Sequence, residues 1–294
     1  MNNADTKTSG FIFLFNTLIG SGLFLLPGIA SGAGGGGYLI PIMALPVLLY
    51  AYLFIYYISK ADLPRGIKTV LKWLYCAACT VASAAAIALC ALLCRDIILP
   101  DASAALLIAA FVFTLYLATA SQHCINGLNS VFFICFILII ICMLFSLTEF
   151  KLERLTLELS SPINALFAIL PFFAGLITVP HLAKSKARRQ SMCGAVVLAC
   201  IIYALLTALC IGTLGQLARE KYSMYITLKS GESLLDIRLL IASIAFSLSL
   251  IKPAINLTYA ATSTLPDKRW LKPAVMAVIF IFALILEKVI GSLF

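Results

Sequence analysis

The sequence predicts an all-α membrane protein, a single transmembrane domain over 1–294 with about nine helices crossing the bilayer. Three observations predict it: the composition, a succession of apolar stretches of spanning length, and the uneven placement of Lys and Arg between loops. Of 294 residues, 63% are hydrophobic and 11% charged, with a mean hydropathy of +1.08. A soluble domain carries about 25% charged residues, and a water-soluble fold could not cover this much apolar surface, so most of the solvent is lipid.

A helix needs about 20 apolar residues to span. Nine stretches qualify: Phe11–Ala30, Tyr38–Ser59, Trp73–Cys94, Ala104–Ala120, Val131–Leu147, Ile163–Leu182, Cys193–Leu214, Leu239–Thr262 and Pro273–Leu293. No long polar linker separates them. The leader Met1 to Gly10 lacks the basic region of a cleavable signal peptide, and span follows span after it. With the N-terminus inside, the inner loops hold twelve basic residues against three acids, and the outer loops eight against nine. That is the positive-inside pattern. It predicts a cytoplasmic N-terminus and, after nine spans, an outer C-terminus. It also accounts for the net charge of +9, so no nucleic-acid partner is expected.

Span 1 contains Asn16-Thr-Leu-Ile19-Gly20-Ser21-Gly22-Leu-Phe-Leu-Leu-Pro27-Gly28. Two glycines around a serine lower the cost of leaving helical geometry, and Pro27 removes an N–H donor soon after. The sequence therefore predicts a break at Gly20-Ser21-Gly22. Backbone groups freed at that depth must line a cavity or bind something. A half-helix starting there would offer N–H groups to an anion such as a carboxylate. The competing reading is a close helix–helix contact made by small residues. Gly32 to Gly37 follows as a flexible outer loop. Span 3 carries Cys76 and Cys79. Like most of the ten cysteines they sit in apolar segments, as small buried hydrophobes, and no metal site or other cofactor is expected.

Span 6 reads Ala168-Ile-Leu-Pro171-Phe-Phe173-Ala174-Gly175-Leu-Ile-Thr178-Val-Pro180, a second interrupted helix. Spans 1 and 6 would open the two halves of an inverted repeat, and paired interruptions point to a midplane binding site. The outer loop Gln216 to Arg238 reads either as a solvated connector or as a short helix around Tyr222–Lys229, with Ser233 and Asp236 capping span 8. Lys252 stands inside span 8. It reads as a coupling or proton-carrying residue, or as a lysine snorkelling to the cytoplasmic surface beside Pro253. Asn256, Thr258 and Tyr259 lie within two turns of it. Glu287 reads as an interfacial partner of Lys288. With no nucleophile–base pair and no carboxylate dyad, an enzyme is not expected.

The stretch from Asn16 to Gly28, with its Ile-Gly-Ser-Gly-Leu-Phe-Leu-Leu-Pro-Gly core, resembles the first helix of the amino acid–polyamine–organocation permeases. Asp96-Ile-Ile-Leu-Pro100, Phe173-Ala-Gly175, Pro180 to Lys186, Gly215 and Leu-Leu-Asp236-Ile-Arg238 resemble one branch more nearly: the permease-like B subunit of spore germinant receptors, in the spore germination protein family. The resemblance implies a leucine-transporter-type inverted-repeat bundle, with 1–147 as the first five-helix repeat and 148–294 as a second that lacks its last helix. It implies an amino acid or similar small ligand held by Ile19, Gly20, Ser21 and Gly22 together with Phe173, Ala174, Gly175 and Thr178. Spans 3 and 8 would supply further walls. Expected partners are that ligand, the lipid bilayer and other germinant-receptor subunits. The expected setting is a bacterial inner membrane or spore inner membrane. Two features depart from the pattern: nine spans rather than ten, and Ile177 where the branch often has an acid. Two functions stay open, a ligand-sensing receptor subunit and a proton- or sodium-coupled amino acid transporter, beside a scaffold with no ligand.

Overall fold

A computed structural model describes residues 3–23, 25–184, 189–220, 222–229, 251–266 and 270–293. Helices make up nearly all of them, and no strand occurs among the described residues. The elements used below are α1 (Asn3–Gly22), α2 (Leu26–Ser31), α3 (Ile40–Lys60), α4 (Arg65–Ile97), α5 (Ala104–Ala118) and α6 (Gln122–Leu144). There follow α7 (Pro162–Ile169), a 3₁₀ segment (Leu170–Thr178), α8 (Val179–Lys184), α9 (Arg189–Leu214), α10 (Ser223–Lys229), α11 (251–264) and α12 (Leu271–Leu293).

Six helical stretches among the described residues are long and apolar enough to cross a membrane: Gly37–Lys60, Arg65–Ile97, Gln122–Glu149, Pro162–Ala183, Arg189–Arg219 and Leu271–Ser292. Gly10–Gly20 and Ala104–Ala118 are apolar but shorter. Large apolar side chains such as Tyr50, Phe54, Leu106, Phe113, Phe167 and Leu205 are exposed along these helices. A monomer in water does not carry so much apolar surface, and a multi-pass helical membrane protein does. Of the predicted eighth span, 239–250 lies outside the described residues, as do Ser233 and Asp236.

Local chemistry sets most boundaries. Prolines stand in the first turn of α3, α7 and the 3₁₀ segment, where a missing N–H costs little. At the end rich in Lys and Arg, hereafter the basic end, α3 closes at Lys60, and Pro64 opens α4 four residues later. Helix α4 has 33 residues. It begins eight residues before the predicted span, because Arg65 to Lys72 are competent helix formers that apolarity alone does not mark. Arg65 to Leu74 are all exposed, so the first turns stand clear of the bundle. Helix α5, with 15 residues, is about 22 Å long and falls short of a 30 Å hydrocarbon core.

Helix α9 is the central post, packed against α1, α2, α3 and α10. Helix α12 packs on α4 and α5 at the flank. There Arg95 pairs with the buried Glu287 (Nη1 to Oε1, 2.7 Å). Glu287 thus answers a helix far away in sequence rather than its neighbour Lys288. At the far end, opposite the basic one, Gly36 N–H donates to the Glu158 carbonyl, and Ser160 N–H and Oγ–H both donate to Ala33. The glycine-rich stretch predicted to be a flexible loop is thereby tied to 156–160. Of the two readings of the outer loop, the short helix is the one that forms, as α10. Its Met224 is fully buried. Burial and the adjoining Asp96 carboxylate push the Tyr222 phenol up in pKa, and that phenol donates a hydrogen bond to Asp96.

Candidate ligand site at the interrupted helices

The predicted break in span 1 is displaced. Helix α1 runs through Gly20 and Ser21 to Gly22, and the chain leaves helical geometry only at Leu23, resuming as α2 at Leu26. The glycines permit an exit but do not force one. Pro27 does, because it has no N–H to give to the Leu23 carbonyl and sits instead in the first turn of α2.

At Gly22 a side chain from α9 joins the end of the helix. The Tyr203 hydroxyl accepts from the Gly22 N–H at 3.0 Å. It lies 2.6 Å from the Ile19 carbonyl and 2.9 Å from that of Leu18, and donates its proton to this pair. Because α1 stays helical through Gly22, the Tyr203 hydroxyl is added to the last turn of the helix, beside its own backbone ladder. Its ring is fully buried. A Cβ on Gly22 would stand 2.5 Å from the Tyr203 oxygen, so only glycine admits this arrangement.

Span 6 is interrupted where predicted. Between α7 and α8 the chain tightens to 3₁₀ geometry, with a kink at Phe173 (φ −94°, ψ 15°). Pro171, near its start, breaks the α-helical pattern. The Phe173 ring meets the Tyr203 ring edge to face at 5.6 Å between centroids. The 3₁₀ segment crosses α1 closely, and a Cβ on Gly175 would lie 3.0 Å from the Thr17 carbonyl carbon. The small-residue contact weighed for span 1 is therefore what Gly175 makes. Ala174 is half-buried. Thr178 is fully buried, and its hydroxyl donates to the Gly175 carbonyl at 2.8 Å. Ile177 faces away from this crossing, onto a cavity of about 560 Å³ near the basic end, with Phe54, Tyr75 and His181 also in its wall.

A polar cluster stands one turn from the crossing. Asn16, Asn129 and Asn256 come from α1, α6 and α11, and all three are buried. Asn16 Nδ2 donates to the Asn129 carbonyl at 2.8 Å, and Asn129 Nδ2 to Asn256 Oδ1 at 3.1 Å. Asn256 Nδ2 donates to Thr17 Oγ1 at 2.8 Å. Asn16 Oδ1 has no hydrogen-bond partner among the described residues. One helical turn from Asn256, Lys252 is fully buried, and its Nζ has no hydrogen-bond partner among the described residues. The ammonium sits 5.6 Å from the centre of the Phe132 ring. Lys252 does not snorkel. It stands seven residues before Tyr259, about 10 Å along the helix, and Tyr259 meets Gln122 at the basic end. Thr258 bonds to Ser83 of α4 at 2.6 Å instead of approaching Lys252.

The predicted residues Ile19 and Gly22 thus meet at the Tyr203 hydroxyl, and Phe173 packs against the Tyr203 ring. Gly175 and Thr178 lie beside it in packing roles. Gly20 is buried within the helix, and Ser21 lies in the same turn. Tyr203, Asn16, Thr17 and Asn129 were not singled out from sequence. The available signal was the carboxamide of Asn16 inside an apolar span and that of Asn129 just before one. Chemically, the gap between α1 and α2 presents an N–H donor beside two carbonyl acceptors, and suits a group that accepts and donates at once.

A scan against protein-family models finds no match for this chain, and a search of curated proteins finds none either.

Proposed function

We propose that the protein binds a small amino-acid-like ligand where α1 ends and the 3₁₀ segment crosses it. In this reading it acts as the permease-like subunit of a spore germinant receptor, in a bacterial or spore inner membrane, with its N-terminus cytoplasmic. The observation that carries the reading is the Tyr203 hydroxyl lodged between the Gly22 N–H and the Ile19 carbonyl. Backbone groups where a helix ends inside a membrane need polar partners. Here the chain supplies one from the Tyr203 side chain. An amino acid offers the same pair of functions, a carboxylate to accept and an ammonium to donate.

The test is calorimetric titration of the twenty common amino acids into purified protein in lipid nanodiscs, beside Gly22→Leu. At least one should bind the wild type, and Gly22→Leu should bind none. Unchanged affinity in a variant that elutes as the folded monomer sinks the reading.

Lys252 favours a second reading, a proton- or sodium-coupled amino acid transporter. An ammonium buried beside a carboxamide cluster, with no hydrogen-bond partner among the described residues, can take the place of a coupling cation or carry a proton. Uptake of labelled amino acid into proteoliposomes, lost in Lys252→Met, would support transport. Binding without uptake supports sensing.

A further inference from the structure

We propose that the far end of the bundle holds a separate site for a small organic carboxylate, between Arg154 and Arg219. A cavity of about 190 Å³ lies there, bordered by Ser31, Gly34, Arg154, Ile211, Gly215 and Arg219. Three connections build it: the loop after α2, the segment before α7 and the turn after α9. Gly34 (φ 106°) and Gly215 (φ 61°) both line it, so the backbone adopts left-handed turns on two sides of the same space. Side chains are rarely compatible with such turns.

Arg154 is half-buried and fixed in place. Its Nη1 donates to the Gly212 carbonyl at 3.1 Å and to that of Thr213. These carbonyls close α9, where the helix dipole is negative. They orient the guanidinium without supplying a carboxylate. Arg219 is exposed. Although Glu153, Glu158 and Glu220 belong to the same connections, neither arginine has an acid within ion-pair distance among the described residues. Two guanidinium groups therefore border one cavity with most of their donors unclaimed. A planar fork of that kind matches carboxylate and phosphate alike. The buried Ile211 side chain gives one wall an apolar face, which selects an organic anion over an inorganic one. The volume is below the roughly 300 Å³ of drug-sized pockets, so the anion is small. Ser31 ends the six-residue helix that starts after the α1 interruption. The carboxylate site thus lies about 9 Å of helix away from the Tyr203 gap, and the proposal stands without the proposed function.

The probe is radiolabelled propionate, with inorganic phosphate and propylamine as competitors, and the protein is the full chain in phosphatidylcholine nanodiscs. Saturable propionate binding is expected, displaced by neither competitor. Arg219→Gln should weaken it about tenfold with the melting temperature unchanged, because its exposed side chain makes no hydrogen bond or ion pair among the described residues. Arg154→Lys should weaken it too, since charge without the fork is not enough. Absence of saturable binding, displacement by phosphate as readily as by propionate, or binding that survives Arg219→Gln unchanged would each overturn the proposal. The last outcome would put the propionate elsewhere in the molecule and leave the amino-acid reading of the α1 gap standing.

Discussion

Tyr203 and Lys252 are both fully buried, yet only Tyr203 has its polar atom satisfied. The Tyr203 hydroxyl serves one donor and one of two acceptors, so Tyr203→Phe leaves them facing an apolar ring. A buried group stripped of its partner costs about 1–3 kcal/mol, and the melting temperature should fall. If the hydroxyl also competes with a ligand for the same backbone groups, the thermal shift produced by the bound amino acid should grow in Tyr203→Phe. A shift no larger than wild type reduces Tyr203 to a strut. Lys252 is the opposite case. Among the described residues its ammonium makes no hydrogen bond and stands over the face of Phe132, and a lysine deep in a membrane helix is unfavourable by about 2.5–3.5 kcal/mol on insertion scales. Lys252→Met keeps the length of the side chain and removes the charge. It should raise resistance to denaturant-induced unfolding by about 1–3 kcal/mol. A destabilised variant would mean that the Nζ is stabilised by contacts beyond Phe132. These two residues also differ in how far sequence could identify them. A lysine within an apolar span announces itself. Tyrosine is at home in membrane helices, and nothing near Tyr203 in the chain points to Gly22, 181 positions away.

At the scale of the element, α1 and the 3₁₀ segment approach closely, with Gly175 against Thr17. Gly175→Val adds three carbons where a single Cβ already lies 3.0 Å from backbone. Overpacking of this kind costs about 1–3 kcal/mol. It should separate the two interrupted segments, lowering both the melting temperature and any amino-acid affinity. Loss of stability with affinity intact would detach the site from the crossing. The existence of both interruptions was legible, because proline and glycine act locally. The register of the first was not. Glycine only lowers the cost of leaving the helix, whereas the missing donor of Pro27 fixes where the exit falls, and the two effects sit several residues apart. Element ends followed the same division. Apolar runs marked the spans of α3 and α9 well, but α4 continues into Arg65–Lys72, where helix propensity acts without hydrophobicity.

For the whole molecule, the legible part was the solvent. Composition and loop charge describe a chain in lipid, and the exposed apolar side chains of the bundle agree. How the helices pair was not legible: the Arg95–Glu287 bridge joins residues 192 positions apart, while sequence offered the neighbour Lys288. The proposed orientation puts the exposed start of α4, with Lys68 and Lys72, in the cytoplasm. Trypsin added to inside-out vesicles should cut there, while trypsin added to right-side-out vesicles should leave that stretch uncut; the reverse pattern inverts the topology. The seating of α9 bears on how quickly any ligand could enter. Near its last turn Phe150 covers Gly212, Lys151 N–H donates to the Gly212 carbonyl at 2.9 Å, and Arg154 grips the same carbonyl and that of Thr213. A helix held in this way does not slide, so Tyr203 must clear the gap by turning its own ring. That step owes nothing to the ligand. In a stopped-flow experiment the observed binding rate should therefore climb with amino-acid concentration and then level off at the frequency with which one buried tyrosine swings aside, and Tyr203→Ala should remove the ceiling.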